Sequence, residues 1–326
     1  MTNPWRAILQ VWAVTAVAAA AAVAALILVV DPYDTGRIRG LGLGFTREQA
    51  PRTANASRAR NARFDAAVLG NSHVQLLSPA RLGAATGATF ASLIVPGSGI
   101  PEQLAVLDYF MRWRPAPPRI LIFGVDEFTC RTGLGASQSL QVGPFPFWLY
   151  APGLAAYLRG AFRYTLVEDA VTLLTGSARA TSLADADGFW NYEANKVWAE
   201  AAAATRIDAS QKRPMARFDG PFPAVEALSD RIQALPSTTR VVIVAPPVYA
   251  PLLAPPGSRE DAAEAACKAR IAAIATQRPH TRFLDFHRDT PVSRSKESFW
   301  DGSHMTGAVA QEIEAAIVKA LATDAD

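Results

Sequence analysis

Three residue types that together can activate a hydroxyl stand at two distant places in the chain. Ser72 lies in "AAVLGNSHVQLL" (66–77), and Asp301 and His304 lie in "SFWDGSHMTG" (298–307). A serine hydroxyl attacks poorly until a base takes its proton, and the imidazolium so formed needs an anion to orient and stabilise it. Ser72, His304 and Asp301 match those three roles. The plainer reading of Ser72 is a cap for the segment that follows, because Ser and Asn are favoured at helix starts and turns. Alone, neither "GNSH" nor Asp-x-x-His is specific. What gives them weight is their order and the elements that carry them.

Those elements repeat along the chain. Short apolar runs, rich in β-branched residues or Phe, occur at "FDAAVLG" (64–70), "ATFASLIVPGSG" (88–99), "RILIFGVD" (119–126), "RVVIVAPP" (240–247) and "RFLDFH" (282–287). Runs of this kind suit strands buried on both faces. Between them, "PEQLAVLDYFMRW" (101–113), "PAVEALSDRIQAL" (223–235), "SREDAAEAACKARIAAIATQ" (258–277) and "TGAVAQEIEAAIVKALA" (306–322) carry helical spacing and helix-start residues. Alternating strands and helices predict a parallel sheet covered on both sides, a flavodoxin-like three-layer α/β/α domain. Ligands of such sheets bind at the carboxyl ends of the strands. The loops carrying Ser72, Gly97, Asp126 and His304 should therefore converge on one edge.

The interval from about 130 to 222 breaks the alternation and reads as an aromatic-rich, mostly helical insertion. Trp148, Tyr150, Trp190, Tyr192 and Trp198 fall there. They are candidates for stacking on sugar rings, although packing inside a helical subdomain is the expected role of most such clusters. Residues 31–63 lack clear periodicity and read as a linker and lead-in. The N-terminus, 1–30, reads as a membrane anchor: Leu9–Val30 holds 22 residues without a charge. As a helix that run reaches about 33 Å, enough for a bilayer core of about 30 Å. No small-residue cleavage site follows it, which disfavours a cleaved signal. Arg6 before the run and Asp31 and Asp34 after it weakly favour a cytoplasmic N-terminus. The expected location is a single-pass protein of the inner membrane whose body faces the periplasm.

Charge excludes little. Lys and Arg number 32 against 29 Asp and Glu, a formal +3, and no basic block marks a nucleic-acid binder. Cys130 and Cys267 could pair in an oxidising compartment. Their separation in sequence gives no reason to place them within bridging range, and two buried free thiols are the expected state. The four histidines lack metal-ligand spacing, so neither metal nor cofactor is expected. His73 reads as a packed neighbour of Ser72, and His280 and His287 as structural. "GLGLGF" (40–45) lacks the strand-to-helix context of a phosphate loop.

"VLGNSH", a glycine after the second strand, the "GVD" turn after the third and a late "DGSH" together resemble the SGNH (GDSL-like) hydrolase superfamily. The likeness covers about 64–129 and 223–322, not the insertion. It implies Ser72 as nucleophile, His304 as base and Asp301 as the acid that orients it. The oxyanion donors it implies are the N–H groups of Ser72 and Gly97 (or Gly99). An anchored body of this type is similar to proteins that modify extracellular polysaccharides. The expectation is a serine esterase or O-acyltransferase acting on an acylated glycan or envelope polymer, with a membrane-bound acyltransferase as candidate partner. The sequence departs from the pattern once. Where the superfamily carries "GxND", this chain reads "GVDEF", so Asp126 replaces the asparagine amide of the oxyanion hole. Asp126 then points elsewhere, stays protonated, or leaves that place to another donor such as Asn71. A binding or scaffolding protein of weak or no catalysis is the rival expectation, and a lipase released by signal cleavage the third.

Overall fold

The computed structural model describes residues 4–37, 41, 50–130, 144–175, 184–211 and 220–323, the last helical residues before 212 by backbone only. All of "GLGLGF" but Leu41 lies outside them. A long helix α1 (Pro4–Val30) precedes a short helix α2 (Pro51–Arg60). The α/β body then runs β1 (Ala66–Leu69), α3 (Pro79–Thr86), β2 (Phe90–Ser92), α4 (Ile100–Arg112) and β3 (Ile120–Gly124). The insertion contributes α5 (Phe147–Tyr150), α6 (Leu154–Ala161), α7 (Tyr164–Thr175) and α8 (Glu200–Gln211). The body resumes with α9 (Pro223–Gln233), β4 (Arg240–Ala245), α10 (Arg259–Gln277), β5 (Thr281–Asp285), α11 (Pro291–Arg294) and α12 (Gly307–Ala322).

All five strands pair in parallel, in the order β2-β1-β3-β4-β5. This is the doubly wound flavodoxin-like order; the alternation of apolar runs and helices predicts the parallel sheet but not the order of its strands. The two-residue period of each strand divides the core in two. Ala67, Leu69, Leu121, Phe123, Val241 and Ile243 face the layer that includes α4, α9 and α10. Ala66, Val68, Ile120, Ile122, Val242 and Val244 face the layer built from α3 and α12. Both faces are dry, which is why these strands read as unbroken apolar runs.

Three differences from the sequence reading have physical causes. The unpatterned stretch 31–63 contains α2, whose Ala54, Ala56 and Ala59 are buried and which packs on α4. Its contact residues are alanines with Asn55 and Arg58, so close approach replaces the apolar stripe that periodicity detects. Second, Cys130 and Cys267 form a disulfide, with Cα atoms 5.7 Å apart. The expectation of free thiols counted positions along the chain. In the observed strand order, α10 follows β4, which lies beside β3, so Cys267 meets the loop leaving β3. Third, Ser72 does not open an α-helix. It begins a single 3-10 turn, Ser72–Val74, so no long helix dipole points at it.

Helix α1 is long and apolar enough to cross a membrane, with only its last residues covered by the rest of the chain.

Candidate active site

The turn that holds Ser72 is built on close backbone approach. Gly70 follows β1 at φ +155°, and a Cβ there would sit 2.5 Å from Val74 Cγ2. Gly124, the last residue of β3, faces the same isopropyl group, and its Cβ would also meet Val74. Two glycines at the ends of adjacent strands thus let Val74 sink between the strand ends and draw Ser72 tightly over them. Asn71 caps the turn, its Oδ1 accepting from His73 N at 3.1 Å. The bland and the sharp readings of "NSH" are divided between neighbours: Asn71 caps, and Ser72 is left half-buried at the surface of the turn.

Some 230 positions later, Phe299 and Met305, both fully buried, form a small antiparallel bridge. The loop between them is tied by Trp300 N donating to His304 O (2.8 Å). Asp301 Oδ1 accepts from Ser303 N (2.8 Å) and His304 N (2.9 Å). The same carboxylate meets His304 Nδ1 at 2.8 and 3.0 Å. His304 Nε2 then lies 2.9 Å from Ser72 Oγ. Burial alone would raise the Asp301 pKa, but the imidazole and the two backbone N–H groups outweigh it and hold the carboxyl well below the usual range. Asp301 therefore stays an anion beside the imidazole, and its orientation fixes which ring nitrogen faces the hydroxyl. Ser72, His304 and Asp301 thus come together as the sequence order suggested.

The remaining positions are distributed less simply. Gly97 has φ +66° and is exposed on the loop after β2, which α2 braces through Asn55 Nδ2 to Ile94 O (3.0 Å) and Arg52 to Pro96 O (3.4 Å). Its N–H and that of Ser72 have no acceptor among the described residues. Gly99 N, by contrast, donates to Glu102 Oε2 at 2.9 Å as part of the α4 cap, which removes it as an oxyanion donor. Asn71 is removed too. Its Nδ2 donates to Asp126 Oδ2 in a short contact and lies 3.4 Å from Ser98 O.

Asp126 is neither protonated nor aimed at Ser72. Its carboxylate takes the Asn71 amide and the Phe128 N–H (3.0 Å), and lies 3.0 Å from His73 Nδ1. Desolvation opposes the charge on both partners. The ion pair and the surrounding bonds nevertheless keep the Asp126 pKa below its ordinary value, and Asp126, Glu127 and Asp301 push His73 up to about 9. His73 is thus a packed neighbour of Ser72, as its sequence position suggests, and its pairing with Asp126 favours the imidazolium. Its ring stands edge-on to the His304 ring at 5.1 Å and stacks on Phe128. His73, Asp126 and Glu127 place three potential metal-ligand atoms within 4.8 Å of one another, but two of the three groups are paired with each other.

No protein-family model matches the chain, and no curated protein matches it.

A cleft of about 470 Å³ opens over Ser72 and His304, within the range of small-ligand sites. The insertion supplies much of its wall. Trp190 and Tyr192 line it, Gln75 Nε2 holds Trp190 O at 3.1 Å, and Tyr192 O–H donates to Met305 O at 2.7 Å. The Lys196 ammonium sits over the Tyr192 and Trp300 rings, and Arg206 Nε donates to Trp300 O at 2.7 Å. Trp198 Nε1 bonds Phe299 O behind the wall. Trp148 and Tyr150 are elsewhere, packed with Tyr157 and Tyr109. The five aromatic residues singled out in the insertion therefore split: two line the cleft and three pack.

Proposed function

We propose that the chain is a membrane-anchored serine esterase or O-acyltransferase of the SGNH type. It acts outside the cytoplasm on an acylated glycan or similar envelope polymer. The observation that carries this reading is the unbroken line Ser72 Oγ, His304 Nε2, His304 Nδ1, Asp301, each step 2.8–3.0 Å, at the floor of an open cleft. In the proposed reaction His304 takes the Ser72 proton as Oγ attacks the acyl carbonyl carbon. The N–H groups of Ser72 and Gly97 receive the oxyanion. Collapse returns the proton from His304 to the leaving alcohol, and the acyl group remains on Ser72. Water then regenerates the enzyme in an esterase, whereas a sugar hydroxyl carries the acyl group away in a transferase.

Two features support the setting. A disulfide is stable in oxidising compartments and rare in the cytosol. An apolar N-terminal helix that crosses the inner membrane would place the disulfide and the cleft on the periplasmic side. The cleft itself offers three aromatic side chains, Trp190, Tyr192 and Trp300, and two cations, Lys196 and Arg206, a lining suited to sugars. The test is labelling with a fluorophosphonate: intact protein should label, and Ser72→Ala should not. Equal labelling of the two, or none of either, removes the enzyme.

A second reading has its own observation. The amide usual at the third oxyanion position is absent, Asn71 and Gly99 are engaged elsewhere, and losing one such donor costs about 10²–10³ in rate. A glycan-binding or scaffolding protein of a polysaccharide system follows if acetylated oligosaccharides bind equally to Ser72→Ala and intact protein and neither turns them over.

A further inference from the structure

Helix α1 divides into two parts. Pro4–Ala22 is exposed throughout, whereas from Val23 onward the helix is progressively covered, with Ile27 and Val30 buried. The bare part, Pro4–Ala22, has 19 residues. At 1.5 Å per residue it spans about 28 Å, close to the roughly 30 Å of a bilayer's hydrocarbon core. If α1 crosses a membrane, as proposed above, the bilayer surface lies where the covering begins. What covers it there is α7. Tyr33, three residues past the end of α1, donates its hydroxyl to Asp169 of α7 at 2.8 Å.

On its other side α7 is unusually apolar for an exposed helix. Tyr164 is 81 % exposed, and Val171 and Leu174 are nearly half exposed. Spacings of seven and three place them on one stripe with Val167. Phe162, just before α7, and Leu154, at the start of α6, are exposed to a similar degree. Soluble surfaces scatter such residues singly, and a cluster marks an interaction site. Arg163, between Phe162 and Tyr164, turns inward, its guanidinium over the Trp148 ring and its Nε donating to Gly160 O at 2.7 Å. Glu168 and Thr175 lie on the same side of α7, which suits the headgroup layer and not the hydrocarbon.

We infer that α6 and α7 rest on the bilayer surface beside α1, with Tyr164, Val171, Leu174 and Phe162 at headgroup depth. The lipid face is the occupant because the patch continues an apolar helix of membrane-spanning length, against which α7 packs. The insertion thereby has two sides with separate tasks: Trp190 and Tyr192 shape the cleft, and α6–α7 seat the body at a fixed height above the membrane instead of leaving it on a tether.

The experiment uses the full chain in nanodiscs containing anionic lipid, with a fluorophore on one introduced cysteine under non-reducing conditions that keep Cys130–Cys267 closed. Four variants are compared with lipids carrying a nitroxide in the headgroup or deep in the acyl chain. Trp12→Cys should lose emission to the deep quencher. Tyr164→Cys and Leu174→Cys should lose it to the headgroup quencher. Ala315→Cys, exposed on α12 across the sheet, should lose it to neither. Quenching at Trp12 with none at Tyr164 and Leu174 overturns the seating while leaving the span intact. No quenching at Trp12 removes the span, and the seating with it.

Discussion

Two aspartate–histidine pairs flank Ser72, and they differ in exposure more than in geometry. In Asp301–His304 the carboxylate oxygen and ring Nδ1 are 2.8 Å apart, and both side chains are 29 % exposed. In Asp126–His73 the separation is 3.0 Å, with exposures of 6 % and 8 %. The two rings are 5.1 Å apart. The open pair borders the cleft and reaches Ser72 with its free ring nitrogen. The sealed pair is closed in by Asn71 and Phe128 and does not line the cleft over Ser72. The same two residue types therefore serve different ends. Where the pair opens onto the cleft, the imidazole turns its second ring nitrogen to the Ser72 hydroxyl. Where the pair is sealed, mutual attraction keeps both charges in place and ties the loop after β1 to the loop after β3.

The largest effect that would break this contrast comes from the open pair. Asp301→Asn keeps the shape of the loop but removes the anion and the preference for the correct ring tautomer. Comparable changes in serine triads lower turnover by about 10⁴. The rate of fluorophosphonate labelling at Ser72 should fall steeply in the folded protein, by far more than the accompanying loss of stability accounts for. A rate within a few-fold of the unaltered protein would mean that Asp301 does not orient a working base.

Asp126→Asn should do the reverse. It leaves His73 buried without its counter-ion, and breaking a buried pair in this way costs about 3–5 kcal/mol, the lower end applying where an acceptor oxygen remains. Denaturant unfolding should report that loss. Labelling of Ser72 in the folded fraction should fall far less than in Asp301→Asn, because the Ser72–His304–Asp301 line is untouched. A collapse of labelling with stability unchanged would give the sealed pair the role assigned here to the open one.

How much of this could be read from the chain varies with how local the signal is. The five strands and the helices of the body were legible, because buried parallel strands are short apolar runs and their crossovers carry turn residues at both ends. Ser72, Asp301 and His304 were legible because sequence order and the strand-end rule place them on one rim. The sealed pair was half visible. Asp126 stood out as the departure from "GxND", but nothing in "GNSH" says that His73 turns inward to meet it. That depends on Val74 sinking against Gly70 and Gly124, a contact between two strand ends. The disulfide was hidden for a similar reason: only the strand order brings Cys267 to Cys130. Helix α2 was hidden because its buried face is mostly alanine.

The smallest effect sharpens the contrast through pH. His73 stands near 9 in the folded chain against 6.5 unperturbed. Below about 6.5 the folded and unfolded states both hold the proton, and the stabilisation it brings is fully present. Between 6.5 and 9 the folded state keeps a proton that the unfolded state releases, so stability falls as pH rises, by at most about 1.4 kcal/mol per pH unit for one group. Above 9 the contribution is gone. Facing His73 are Asp126, Glu127, Asp301 and the His304 ring. Asp126 and Asp301, both held low, add stability that is lost only in acid and is level across this window. His287, which burial pushes down, changes stability only below its ordinary value. Unfolding midpoints measured from pH 6.5 to 9 should therefore decline in the intact protein. In Asp126→Asn, where His73 has lost its hydrogen-bonded partner and keeps only Glu127 and Asp301 to oppose desolvation, the profile should be flatter than in the intact protein.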